Sequence, residues 1–181
     1  MQMISIENDL DHLREGVDQL KDYLLSDELF WPMGGRQALA LTPGNLLLAQ
    51  ARLQARPLNA VQKNAFIDLR AKLQELKDAW RTAWEKKAAR EYTARLRQWG
   101  HVLEELAKDP DAVNYMNEVR VRALLELLAH EVPGDRAAKA PLEHLDTRLR
   151  QIFQEGDFVW EAEAQPGFSQ EQYWFLYRKT T

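Results

Sequence analysis

From Asn59 to Lys108 the chain runs for fifty residues without a proline, and its one glycine there is Gly100. As a single helix this stretch would measure about 75 Å at 1.5 Å per residue, far beyond the usual three or four turns. A small globule cannot enclose such a rod. Other segments must lie along it, or another chain must. The sequence therefore predicts a mainly all-α fold, a five-helix bundle organised around one long helix (~59–108), in one domain spanning residues 1–181.

The apolar positions of the rod are Phe66, Leu69, Leu73, Leu76, Trp80, Trp84, Ala88, Tyr92, Leu96, Trp99, Leu103 and Leu106. The first steps alternate three and four, as in a coiled-coil seam. From Trp80 to Leu96 every step is four, and each such step turns the stripe by about 40°. The apolar face thus rotates by roughly 120° between the halves, which predicts different neighbours for each. Gly100 is the position that leaves the continuity of the rod open to a kink, since glycine weakens a helix interior by about 1 kcal/mol relative to alanine.

Start and stop signals place the other elements. Ser5 can cap a helix over ~6–25, with Ile6, Leu10, Leu13, Val17, Leu20 and Leu24 on one face and Glu7, Asp9, Asp11, Glu15, Asp18 and Asp22 solvated on the other. Thr42-Pro43 reads as N-cap and first helical residue of a helix over ~43–55, apolar around most of its circumference. Asn59 can cap the long helix. Asp109-Pro110 repeats the start signal for a helix over ~110–131, which Pro133-Gly134 ends. Pro141 can open a fifth helix, ~141–153, stopped by Gly156. Between the first two helices, Trp31-Pro32 and Gly34-Gly35 mark an irregular connection. Its Phe30, Trp31 and Met33 can plug the core or form a contact patch.

The tail changes character. Asp157 to Glu163 alternates large and polar residues, and Tyr173 to Arg178 is aromatic. That composition suits a C-terminal β-hairpin over ~157–178. The counter-reading is a short final helix capped by Ser169 with Gln172 in the capping-box position.

Composition narrows the function classes. There is no cysteine, so neither disulfides nor thiolate chemistry is in play. No apolar run reaches the ~18 residues of a membrane span, and the amphipathic N-terminus lacks the basic and apolar regions of a signal peptide. A soluble, cytoplasmic protein with no membrane contact is expected. The serines are Ser5, Ser26 and Ser169, none in a Gly-x-Ser-x-Gly elbow, and Gly34-Gly35 fits no phosphate loop. No histidine belongs to the Glu-x-x-His pattern of helical metal sites. His101 with Glu104 and Glu126 with His130 stand one turn apart, short of the three or four convergent ligands a metal needs. No catalytic residue, metal ligand or cofactor is assigned.

Charge is unevenly spread. Residues 63–97 hold ten bases and five acids, whereas residues 1–31 and 101–181 each carry a net charge of −6. Acidic segments packed on a basic rod would explain this with no ligand. The expected function is a non-enzymatic interaction or scaffold module that binds a protein partner or a second copy of itself. Its candidate surface is Trp80, Arg81, Trp84, Arg90, Tyr92, Arg95 and Trp99, with Phe30 and Trp31 beside it. One alternative is a nucleic-acid accessory protein, with the aromatics stacking on bases and the arginines meeting phosphates. Against it, the aromatics share the core stripe, and the pI of about 5.6 is low for that role. Another alternative is a metal- or small-molecule-dependent enzyme inside the bundle.

Overall fold

A computed structural model describes residues 5–34, 39–134, 139–152 and 154–179. Gly35 of the expected Gly34-Gly35 turn and Phe153 of the expected last helix lie outside the described residues. The helices are α1 (Ile6–Leu25), α2 (Pro43–Ala55), α3 (Ala60–Ala79), α4 (Arg81–Lys108), α5 (Tyr115–Ala129) and α6 (Lys139–Ile152). A mainly all-α architecture with a small two-stranded C-terminal sheet is therefore correct.

Local chemistry explains the starts. Ser5, Thr42 and Asn59 each accept a hydrogen bond from the backbone N–H three residues on, at 3.1, 3.1 and 2.9 Å. Gln62 returns the favour at Asn59 N–H, completing a capping box. Asp109-Pro110 opens only a 3-10 turn, Pro110–Ala112, and α5 starts later from Asn114.

The principal correction concerns the rod. It is two helices, broken at Trp80 (φ −120°, ψ 35°), and α4 passes unbroken through Gly100. The break costs little hydrogen bonding. The Trp80 N–H still reaches Leu76 O at 3.0 Å, and its carbonyl accepts from Trp84 N–H at 2.9 Å. What it achieves is re-aiming. α3 packs Phe66, Leu69 and Leu73 into an apolar cluster with α1, one face of α2 and Trp84. α4 carries Ala88, Tyr92, Trp99, Leu103 and Leu106 into a second cluster with α5, α6 and the tail. The rotating stripe thus serves different neighbours, but through two helices interrupted at Trp80 rather than along one continuous rod.

Helix α2 stands between the clusters. Leu46, Ala49 and Leu53 face the first and Leu48 the second. Its N-terminus meets α4 closely: a Cβ on Gly44 would lie 2.8 Å from a Glu91 carboxylate oxygen. The hairpin is reduced to Glu155–Phe158 pairing antiparallel with Tyr177–Arg178 in an irregular register. Between the strands run 3-10 turns at Ala162–Gly167 and Trp174–Leu176. The Ser169 alternative survives only as one turn, with Tyr173 N–H on Ser169 O at 2.8 Å. Edge-to-face contacts among Trp160, Phe168, Tyr173 and Phe175 make the tail an aromatic clasp over α5. Among the described residues no helix is long and apolar enough to cross a membrane.

Candidate functional site

The break opens a groove of about 670 Å³ between the end of α1 and the start of α4. Its apolar part is Leu25, 59% exposed, with Trp80 and Ala83; its basic part is Arg81, Lys86 and Arg90. Farther along α4 the surface continues past Leu29, Thr93 and Arg97 in a shallower hollow of about 440 Å³. Trp80 is half-buried, with the Lys21 ammonium 5.7 Å above its ring. Arg81 pairs weakly with Asp78 at 3.3 Å, both side chains mostly exposed. Among the described residues Lys86, Arg90 and Arg97 make no salt bridge; Arg90 donates to the Asp27 carbonyl at 3.2 Å.

Two clamps fix the groove's walls. Lys87 donates to Ser26 O at 2.8 Å and also to Glu28 O. Its charge thus sits at the C-terminal end of α1, where the helix dipole favours a cation. Burial lowers the Lys87 pKa, with Arg90 adding to the effect. On the other side Glu131 straddles the break. It accepts from Lys77 of α3 at 2.9 Å and from the Trp84 indole of α4 at 2.6 Å. A partner would therefore meet a surface already in shape, which lowers the ordering cost of binding.

The structure divides the expected surface residues. Trp80, Arg81 and Arg90 come together in the groove. Trp84, Tyr92 and Trp99 do not: they are 2%, 2% and 0% exposed and belong to the core. This corrects the idea of a continuous aromatic row, for the physical reason that the stripe on which they recur is the one the bundle buries. Arg95 is also withdrawn, at 8% exposure, with its guanidinium on the Glu91 carboxylate at 3.1 Å. That i,i+4 pair looks like helix solvation in the sequence but is a buried tie. Phe30 is 44% exposed, with the Arg95 guanidinium 5.1 Å from its ring. Trp31 packs edge-on to Tyr23, bonds Gln19 through its indole at 2.8 Å, and bridges to Leu41.

Between the two apolar clusters lies a polar seam missed by the sequence reading. Asp9, assigned there to the solvated side of α1, is 2% exposed and accepts from Arg52 at 2.6 and 3.0 Å and from Arg56 at 3.2 Å. Arg56 continues to Glu161 of the tail at 3.5 Å. Glu91 accepts from the Gly44 N–H at 2.7 Å, a carboxylate at the N-terminus of α2. Arg120 of α5 donates to Asn45 at 2.6 Å. Burial draws Arg120 down to about 9, with Arg52 and Arg95 repelling it. Burial, helped by Arg120 and Arg52, lowers His12 to about 4, so it sits neutral in the seam. One signal was readable: α2 and α5 are apolar on nearly all sides, so Asn45, Arg52, Arg120 and Arg122 had to be buried and partnered. Arg122 duly meets Asp146 at 2.8 and 2.9 Å.

The histidine–carboxylate pairs do not converge on a site. His101 and Glu104 lie 3.7 Å apart, both exposed, while Glu126 turns to Arg122 at 3.0 Å. Among the described residues no three His, Cys, Asp or Glu side chains are placed to hold a metal ion. Compared with known proteins, the chain matches no family model, and no curated protein or solved structure shows significant similarity to it.

Proposed function

We propose that this chain is a non-enzymatic interaction module, working in a soluble, cytoplasmic setting, whose contact surface is the groove at the α3–α4 break. One observation carries the reading: a clamped groove that combines exposed Leu25 and half-buried Trp80 with Lys86 and Arg90, which make no salt bridge among the described residues. Exposed apolar groups beside unneutralised charge are what a protein contact desolvates and pairs. The nucleic-acid alternative keeps the cations but has no aromatic platform in Trp84, Tyr92 and Trp99, and Asp27 and Asp78 within the groove repel a polyanion.

The test is a photo-crosslinking side chain placed at Thr93, in the hollow that continues the groove past Arg90, and in a second sample at Glu104, exposed farther along α4. The Thr93 probe is expected to yield a defined protein adduct, identified by mass spectrometry, that is absent at Glu104 and lost with Arg90→Glu. No adduct at Thr93, or the same adduct from both positions, overturns the reading.

A further inference from the structure

The groove does not stand alone on the surface. Along the outer side of α4, Lys86, Arg90, Thr93 and Arg97 are all exposed and recur at steps of four, three and four. Such spacing holds them to one face of the helix, over about 17 Å. Along the outer side of α1, Asp11, Glu15, Asp18 and Asp22 recur at the same steps over the same length. Glu15 is half-buried and the other three are exposed. Asp11 pairs with Arg14 at 2.6 Å, whereas Glu15, Asp18 and Asp22 make no salt bridge among the described residues. One turn beyond Asp22 comes Leu25, in the groove that also receives the start of α4. An acidic strip and a basic strip of equal pitch therefore lead away from one apolar spot.

We propose that the groove is an interface between two copies of this chain, with the acidic face of α1 in one copy lying along the basic face of α4 in the other. The proposal rests on the interaction-module reading and supplies its partner. A two-fold interface must be self-complementary. This surface meets that condition, because each copy offers both halves and Leu25 with Trp80 marks their junction. The spacing four-three-four reads the same in both directions, so the strips stay in register for either relative orientation of the helices. Exposed ion pairs contribute little individually and are screened by salt. The assembly is accordingly weak, salt-sensitive and centred on the desolvated Leu25.

Sedimentation analysis from about 1 to 300 µM, at low salt and near 0.5 M salt, tests this. A dimer is expected at low salt, with dissociation about tenfold or more easier at high salt. The basic-face variant K86E/R90E/R97E and the acidic-face variant E15K/D18K/D22K should each be monomeric, with unchanged helical circular dichroism. Mixed in equal amounts they should form a one-to-one heterodimer. A wild-type monomer throughout, dimers in both variants, or no association in the mixture overturns the proposal. Binding of a mixed oligonucleotide by a chain that stays monomeric overturns it too. If the wild type is monomeric and the Thr93 probe still captures a different protein, only the second-copy inference falls; if it captures nothing, the interaction reading falls with it.

Discussion

Helices α3 and α4 share one proline-free stretch of sequence and lie end to end, yet they are held very differently. α3 buries three of its twenty residues, Phe66, Leu69 and Leu73. α4 buries ten of its twenty-eight, among them Lys87, Glu91 and Arg95. α3 packs mainly along α1, whereas α4 is touched by α1, α2, α5 and α6. Helical propensity cannot account for the contrast, because both are rich in Ala, Leu and Lys. Neighbours account for it, as most helical stability in proteins comes from packing. α4 is the spine of the fold, and α3 is a flank bolted on at the elbow by Glu131.

The largest test strikes the spine. Trp99→Ala, at a site with no exposure, should cost about 4 kcal/mol in denaturant unfolding. A cost as small as 1 kcal/mol would deny α4 its central place. Next, Arg52→Ala leaves Asp9, in the seam between the two regions, with Arg56 alone at 3.2 Å and should cost roughly 3 kcal/mol. Arg52→Ala combined with Asp9→Leu should recover part of that loss. Leu73→Ala on the flank should cost about 2 kcal/mol, and native-state hydrogen exchange should show α3 opening below the global free energy. If α3 amides exchange only through the same opening as α4, the two helices form one cooperative unit and the contrast is lost.

Acidification probes the seam more gently. His12 titrates near 4 in the fold, below its ordinary 6.5. As pH falls the unfolded chain takes up the proton first, so its stability contribution is complete above 6.5 and is lost between 6.5 and 4. Unfolding should become progressively easier over that range, and His12→Gln should remove that part of the pH slope. The smallest effect concerns continuity. A Cβ at Gly100 meets only Leu145, at 3.9 Å, so Gly100→Ala should stabilise by roughly 0.5–1 kcal/mol. A loss of stability there would mean that α4 needs its glycine.

Local signals were legible and distant ones were not. Ser5, Thr42 and Asn59 act on backbone three residues away, so the sequence carries both partners of each cap. The inward stripe, from Phe66 to Leu106, is likewise a matter of spacing. The break at Trp80 has no proline or glycine to announce it. It follows from the need to face α1 before it and α5 after it. Asp9 meets Arg52 across forty-three residues, and no periodicity encodes such a pairing. For the candidate site, charge concentration pointed to the stretch of α4 that lines the groove, while the aromatic stripe drew Trp84, Tyr92 and Trp99 into a surface they do not share. The helix period was needed to separate the two: Lys86, Arg90 and Arg97 lie on the side opposite the core.

The aromatic clasp has a consequence for how the chain is made. Tyr115 of α5 donates to the carbonyl of Phe175, sixty residues later, at 2.7 Å, and the Trp160 indole closes on Met116 O at 2.9 Å. At about 5–20 residues per second a ribosome needs roughly 3–12 s to translate from one end of the first contact to the other. During that interval the α1–α3 cluster already has its strands of sequence in hand, while the face of α5 waits uncovered. The nascent chain thus passes through a stage with one finished half and one adhesive half, and the wait ends only when the clasp emerges.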